Sequence, residues 1–233
     1  MRILTALVAL GLAALAAAQS VTVFGYSRNG EPIEVETYGT GARHVLVIGG
    51  QHGDELPSVP LVTRWRNEIA AFPWLIDGAT VHFLLRANPD GLAVGTRQNA
   101  AGVDLNRNMK NGWLPSPPGS FTYGGPFFYS EPESRALRDI IQTLNPERII
   151  SVHAYANIID YDTAGGFTLA TRMAKFNGMT VTPISYPTPG SLGNYCVANN
   201  IPLVTLELPP GVSDYTMWMW QRSALYQFIY TNL

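Results

Sequence analysis

The sequence predicts a single α/β domain with a mixed, largely parallel, doubly wound sheet and helices on both faces. Short apolar runs alternate with helical segments, which favours parallel pairing of the strands. The chain of 233 residues has 46% hydrophobic content, enough for one sizeable core. Three of the apolar runs also end in a histidine or a carboxylate, at the sheet edge where such folds bind ligands.

The first predicted elements are three strands and a helix. Strands at residues 21–24 and 33–38 should form a hairpin around the turn signal Arg28-Asn29-Gly30. The apolar run at 44–48 predicts the third strand. Apolar residues at helical spacing predict a helix over 58–72.

A long loop is predicted in the middle of the chain. A strand at 80–85 leads into the strong turn signature Asn88-Pro89-Asp90-Gly91, and the segment from there to about residue 129 is rich in Gly, Pro and Asn. Loops of this length in compact domains are usually functional or disordered. The pattern Ser130-Glu131-Pro132-Glu133 then predicts a capping box and a helix that runs to about residue 144.

The last third of the chain repeats the alternation of strands and helices. An apolar run ends in His153, and a second one ends in Glu207. Helices predicted over 167–177, 192–199 and 213–230 flank the second run. No repeat or linker divides the chain after its first 18 residues, so we expect one domain.

The residues at the three strand ends predict a hydrolytic metal site. His52 and Glu55 lie three positions apart in a glycine-rich loop after the strand at 44–48. An imidazole and a carboxylate at this spacing can bind one zinc ion, although such a pair alone is more often a surface feature. Its conjunction with His153 and Glu207 at two further strand ends favours the metal site.

The remaining histidines and the single cysteine are assigned structural roles. His44 begins a strand and His82 lies within one, so a core or edge position is expected for each. Cys196 is the only cysteine, which excludes an intramolecular disulfide. Within the helix predicted over 192–199, Cys196 is expected to be a small buried residue, with a nucleophile as the alternative.

The first 18 residues are predicted to be a signal peptide. Met1-Arg2 supplies a positive charge, residues 3–15 are apolar, and Ala16-Ala17-Ala18 forms a cleavage site. The apolar run is short for a spanning helix, which needs about 20 residues, and an uncleaved anchor is the alternative. We therefore expect a mature catalytic domain over 19–233, periplasmic or secreted, with no stable membrane anchor after cleavage.

The charge balance excludes two classes of partner. The formal net charge is −2, which gives no electrostatic basis for binding nucleic acid. The sequence also has no Lys/Arg cluster that would bind an anionic membrane.

Several motifs together resemble the zinc carboxypeptidases of the carboxypeptidase A type. Their order and approximate spacing agree with that family over most of the mature chain. The segment 186–195 is similar to the small bacterial members of the murein peptide amidase type. The motifs are His52-Gly53-Asp54-Glu55, Asn88-Pro89-Asp90-Gly91, Gly95-Thr96-Arg97, Gly102-Val103-Asp104-Leu105-Asn106-Arg107-Asn108, Ser151-Val152-His153-Ala154-Tyr155 and Thr205-Leu206-Glu207-Leu208.

The resemblance implies one zinc ion and a catalytic carboxylate. His52, Glu55 and His153 would be the zinc ligands, with a water completing the site, which agrees with the preference of zinc for nitrogen and oxygen ligands. Glu207 would be the general base and then the general acid. Its alternative role is a partner in a salt bridge.

The resemblance also implies residues that bind the substrate. Asn106 and Arg107 would hold the terminal carboxylate, and Arg97 would stabilise the oxyanion. Bracing of the loop is the alternative for both arginines. Tyr186 would cover bound substrate, with Tyr155 and Tyr195 as alternatives.

Two smaller expectations complete the site. Asp104 is expected to brace the loop rather than act chemically. Leu192 falls near the floor of the pocket that takes the leaving residue, where an apolar side chain does not indicate a preference for basic residues.

The expected function is an exported zinc carboxypeptidase that hydrolyses an amide next to a free carboxylate in peptides, with peptides derived from peptidoglycan as the expected substrate. One alternative is a zinc deacylase of the aspartoacylase or succinylglutamate desuccinylase type, which has similar metal-binding motifs. A second alternative is a non-catalytic binding module on the same scaffold.

Overall fold

The computed structural model describes residues 19–233. The predicted signal peptide, residues 1–18, lies outside the described residues. Among the helices of the described part, none combines the length and the apolar character needed to cross a membrane.

Eight strands form one mixed sheet. In chain order they are β1 (Gln19–Tyr26), β2 (Pro32–Tyr38), β3 (Arg43–Ile48), β4 (Ala79–Leu84), β5 (Arg148–Ala154), β6 (Ile158–Tyr161), β7 (Thr180–Val181) and β8 (Leu203–Leu208). Their order across the sheet is β1-β2-β4-β3-β5-β8-β6-β7. The central strands β4, β3, β5 and β8 are parallel to one another, whereas β1 and β2 at one edge and β6 near the other pair in the antiparallel sense.

Six α-helices and two short 3₁₀ segments connect the strands of the described part. The helices are α1 (Ser58–Ala71), α2 (Pro89–Val94), α3 (Pro132–Leu144), α4 (Ala164–Asn177), α5 (Leu192–Ala198) and α6 (Asp214–Tyr230), and the 3₁₀ segments span Pro73–Ile76 and Leu105–Arg107. Residues of α1, α4 and α6 pack in one core cluster, and residues of α3 and α5 pack in a second. The two clusters confirm the predicted sheet with helices on both faces.

Strand β3 shows why the sequence gives two cores. Val45 and Val47 belong to the first cluster, whereas Leu46 and Ile48 belong to the second. Side chains alternate between the faces of a strand, so an uninterrupted apolar run buries both faces. Burial of each such side chain contributes about 1.5–3 kcal/mol to the free energy of unfolding. Because β3 is apolar on both faces, a central position in the sheet is more stable for it than an edge position.

The start of α3 differs from the prediction. The helix begins at Pro132 with Glu131 as its N-cap, and no side chain caps it, so the predicted capping box is wrong. Ser130 Oγ instead donates a hydrogen bond to Glu131 Oε1 at 2.8 Å. It also accepts one from Asn108 Nδ2 at 2.9 Å. A tertiary contact from the long loop therefore takes the hydroxyl that the local pattern assigned to the helix.

Three short elements were not predicted. Helix α2 begins directly after Asn88, whose side chain accepts a hydrogen bond from the Gly91 amide at 2.9 Å. Strands β6 and β7 have only four and two residues. Strands this short carry little periodicity and are stabilised by the neighbours with which they pair.

Of the residues assigned structural roles, His82 and Cys196 are buried and His44 is partly buried. His44 and His82 lie in neighbouring strands, with their rings stacked at a centroid distance of 5.3 Å and with His44 Nδ1 3.1 Å from His82 Nε2. Cys196 is fully buried in the second core cluster. Burial raises the pKa of its thiol well above the usual range, which disfavours the nucleophilic thiolate.

The histidine pair predicts a pH dependence of stability. Burial, and then the neighbouring His44, lower the pKa of His82 to about 4. In the unfolded chain, His82 binds a proton below about pH 6.5, whereas in the folded chain it binds one only near pH 4. The free energy of unfolding should therefore fall as pH is lowered from 6.5 to 4, by about 2 kcal/mol after allowance for solvent screening.

Urea unfolding at several pH values measures this effect. His82→Asn should flatten the decline between pH 6.5 and 4. His44→Asn is the matched control and should keep most of the decline, because burial is the larger cause of the shift. An unchanged decline in His82→Asn would assign the pH dependence to other groups.

Candidate metal centre and active-site cleft

A glycine places the loop that carries the first two candidate ligands. His52 and Glu55 follow β3, where the chain lies against α2. A Cβ atom on Gly53 would lie 2.0 Å from the backbone carbon of Gly91, a distance that cannot occur. Only glycine therefore lets this loop approach α2, and the approach fixes the position of both side chains.

Three side chains converge on one point below this loop. Glu55 Oε1 lies 2.7 Å from His52 Nδ1, and Glu55 Oε2 lies 2.7 Å from His153 Nδ1. The two Nδ1 atoms are 3.2 Å apart. His153 is 98 positions from Glu55 in the sequence, so the parallel pairing of β3 with β5 brings the cluster together.

The cluster fits a zinc ion. One potential ligand atom from each of the three residues lies within 4.8 Å of the others, and all three residues are buried. Two imidazole nitrogens and a carboxylate oxygen are a common ligand set of hydrolytic zinc sites. His52 Nε2 lies 3.1 Å from Asp104 Oδ1, a contact that orients the ring and leaves Nδ1 toward the cluster.

Asp104 braces the loop, as the sequence predicted. Besides His52 it accepts hydrogen bonds from the Asn106 amide and from Arg97 Nε, both at 2.9 Å. Its side chain is fully buried. These three contacts join a candidate metal ligand, His52, to the loop of 95–108, so the position of the ring depends on that loop.

The cluster attracts positive charge. Burial alone would lower the pKa of His52, but hydrogen bonds with Asp104 and Glu55 outweigh it and raise the pKa to about 9. Burial would raise the pKa of Glu55, but His153 and His52 hold it well below the usual range. The buried carboxylates of Glu55 and Asp104 thus favour positive charge at this point. A site for a divalent cation requires this property.

Glu207 lies beside the cluster without belonging to it. It is opposite His153 in the parallel pairing of β5 with β8. Within residues 19–233 no salt bridge involves Glu207, which disagrees with the alternative role as an ion-pair partner. Burial raises the pKa of Glu207, and the negative charge of Glu55 adds to this shift.

The loop of 95–108 brings three further side chains into the cleft. Arg97 Nη1 lies 3.5 Å from Glu55 Oε1, so this cation adjoins the candidate ligands. Asn106 Oδ1 accepts a hydrogen bond from the Leu192 amide at 2.8 Å, which leaves the Asn106 amide group as a donor. Arg107 is 6% exposed, and burial lowers its pKa. A buried guanidinium of this kind favours an anionic partner.

The three candidate tyrosines occupy different places. Tyr186 lines the cleft and is 61% exposed, so it is accessible to a ligand. Tyr155 also lines the cleft, and its hydroxyl donates to the Asp54 carbonyl at 3.1 Å. Tyr195 is buried and lies outside this cleft. Position therefore favours Tyr186 and Tyr155 over Tyr195.

The cleft has a volume of about 490 Å³ and includes residues that the sequence did not single out. Asp160, Asp162 and Thr205 line it together with the predicted site residues. The polar positions of the segment from Ile158 to Asp162 alternate with apolar ones shortly after His153, a signal that could have identified them. Leu192 is buried in the second core cluster and its side chain does not line the cleft, although its neighbours Ser191 and Gly193 do.

Similarity to known proteins agrees with this geometry. The family model for zinc carboxypeptidases matches residues 12–214. Murein peptide amidase A of Escherichia coli K12 is 31% identical over 208 residues, which cover 81% of this chain and 78% of that protein. The corresponding protein of Vibrio campbellii is 29% identical over 80% of this chain and 76% of its own length.

Solved structures show the same fold. A murein-tripeptide amidase from Escherichia coli O157 superposes with a TM-score of 0.76 at 27% identity, covering 92% of this chain and 93% of that one. Bovine thrombin-activatable fibrinolysis inhibitor superposes with a TM-score of 0.83 at 16% identity, over 97% of this chain and 94% of the other, a likeness of fold alone.

These matches decide between the alternatives left open by the sequence. They support a peptide hydrolase that uses zinc, and not the deacylase or the non-catalytic binding module. The chain belongs to the zinc carboxypeptidase family.

Proposed function

We propose that this protein is an exported zinc carboxypeptidase that hydrolyses the amide bond next to a free carboxylate in murein peptides. The observation that carries the proposal is the convergence of His52, Glu55 and His153, with Glu207 opposite His153 on the neighbouring strand. The similarity to murein peptide amidase A supports the substrate class.

The proposed chemistry divides between a metal and a carboxylate. Zinc held by His52, Glu55 and His153 would lower the pKa of water and polarise the scissile carbonyl. Glu207 accepts the proton of the attacking water and delivers it to the leaving amine nitrogen. Its raised pKa supports this role, because a group that takes and returns a proton works best near the pH of operation.

Three side chains bind and orient the substrate in this proposal. Arg97, beside the candidate ligands, stabilises the negative charge that develops on the carbonyl oxygen. Arg107 and the amide group of Asn106 hold the terminal carboxylate. Tyr186 is the proposed cover of the bound substrate, and its high exposure supports this assignment.

Glu207→Gln tests the separation of catalysis from metal binding. Turnover of a murein tripeptide should fall by about 10²–10⁴-fold, because proton transfer is lost. The zinc content, measured by atomic emission, should stay at one ion per chain. Glu34→Gln, at an exposed position of β2, is the matched control and should keep full turnover. Full activity of Glu207→Gln would assign the base to another group, and loss of zinc would make Glu207 a ligand.

Arg107→Ala tests the requirement for a free carboxylate. In the wild type, amidation of the terminal carboxylate should reduce kcat/KM about 10- to 100-fold, because the buried guanidinium is left without its partner. Arg107→Ala should weaken cleavage of the free acid and hardly affect the amide. Arg107→Lys should restore little, because an ammonium cannot make the planar two-point contact. Equal cleavage of acid and amide by the wild type would leave a zinc amidase or endopeptidase instead.

Export is the remaining part of the proposal. Its support is the signal-like pattern of residues 1–18, followed by the proposed catalytic domain over 19–233. Expression in a bacterial host should give a protein in the extracytoplasmic fraction whose intact mass corresponds to a start at Gln19. Recovery of the uncleaved chain from the cytoplasm would exclude this part.

A further inference from the structure

The guanidinium of Arg97 is held through two of its three nitrogen atoms. Its Nε donates a hydrogen bond to Asp104 Oδ2 at 2.9 Å. Its Nη1 lies 3.5 Å from Glu55 Oε1 and 3.2 Å from His52 Nδ1. Within residues 19–233, Nη2 has no hydrogen bond or salt bridge. Since Arg97 lines the catalytic cleft, Nη2 remains available as a donor to a ligand bound there.

An aromatic ring covers one face of the same guanidinium. The Cζ atom of Arg97 lies 4.9 Å from the centroid of the Phe121 ring. A cation within about 6 Å of such a centroid is attracted by the negative face of the ring. The hydrogen bonds lie in the plane of the guanidinium, whereas the ring opposes tilting out of that plane. The two kinds of contact together therefore fix the orientation of Arg97.

The chain on both sides of the Phe121 ring is anchored to the loop that carries Arg97. Gln98 Nε2 donates a hydrogen bond to the Phe121 carbonyl at 2.7 Å. The Asp104 amide donates one to the Tyr123 carbonyl, also at 2.7 Å. Asp104 is the residue whose carboxylate accepts from Arg97 Nε. The position of the ring over the guanidinium is therefore fixed by the backbone around it and does not depend on the stacking contact alone.

The surroundings of Phe121 indicate that it is not a core residue. It is 66% exposed and belongs to neither core cluster, whereas the side chain of Arg97 is only 13% exposed. An exposed phenylalanine contributes little burial of apolar area. Phe121 is also not among the residues that line the catalytic cleft. Its contact with Arg97 is therefore the route by which it can affect catalysis.

We propose that Phe121 is a positioning residue for Arg97. Its ring holds the plane of the guanidinium and excludes water from one face, so that Nη2 is fixed as a donor to the carbonyl oxygen on which negative charge develops. Donors that are already oriented stabilise such charge better than mobile ones, because they need no reorientation during the reaction. The inference rests on the role of Arg97 in the proposed function and adds to it a residue outside the cleft.

Steady-state kinetics with a murein tripeptide test the inference. Phe121→Leu should lower kcat about 3- to 30-fold, as expected for the loss of a cation–π contact that acts in the transition state. KM should change by less than about twofold, because the ring does not line the cleft. Phe121→Tyr keeps an aromatic face and should retain kcat within about twofold of the wild type.

Phe127→Leu is the matched control. Phe127 is 58% exposed and lies in the same long loop, but among the described residues its ring has no aromatic or cationic neighbour. Both kcat and KM should therefore stay at the wild-type values. An unchanged kcat in Phe121→Leu would overturn the inference and leave the proposed function standing. No cleavage of the tripeptide by the wild type would instead contradict the proposed function.

A double-mutant cycle separates positioning of Arg97 from a general structural role. In the Arg97→Ala background, Phe121→Leu should change kcat by less than about twofold, because the contact that the ring makes is already absent. Equal losses in the two backgrounds would show that Phe121 acts through other residues and would overturn the inference.

Nuclear magnetic resonance measures the contact without catalysis. In proton–nitrogen correlation spectra, the ring current of Phe121 should shift the Arg97 Nε–H proton upfield in the wild type relative to Phe121→Leu. Phe121→Tyr should keep the wild-type position. Phe121→Met, which has a side chain of similar length without a ring, gives the same comparison if Phe121→Leu fails to fold. An identical proton position in the wild type and the variant without a ring would overturn the inference.

Discussion

The parallel pairing of β3, β5 and β8 is the constraint on which the candidate site depends. It brings the carboxyl ends of the three strands to one edge of the sheet, with His153 opposite Glu207 and the loop of His52 and Glu55 alongside. The apolar faces of these strands are buried in two cores. The position of the polar cluster is therefore fixed by hydrophobic packing that lies away from it.

Buried charges at this edge compensate one another. Asp104 holds both His52 and Arg97, and Glu55 lies within hydrogen-bond distance of both histidines. A buried carboxylate is costly unless it is paired, so each member of this cluster constrains the others. The long loop that carries Arg97 and Asp104 is consequently ordered by the site. The sequence left a functional or a disordered loop open, and these hydrogen bonds favour a functional one.

The cleft has opposite charges along its length. Arg97 and Arg107 supply cations near the candidate metal centre, whereas Asp160 and Asp162 supply anions on the inner wall. The cleft is therefore cationic beside the candidate ligands and anionic along its inner wall.

The sequence by itself determined the fold class and the candidate ligands, because long apolar runs and strand-end polar residues are local signals. It also determined that His44, His82 and Cys196 are structural. The tertiary structure decided the rest. Ser130 contacts Asn108 rather than capping α3, Leu192 lies in the core, and β6 exists because β8 pairs with it. Asp160 and Asp162 line the cleft, and their position depends on a contact between segments more than 40 residues apart, which no local pattern specifies.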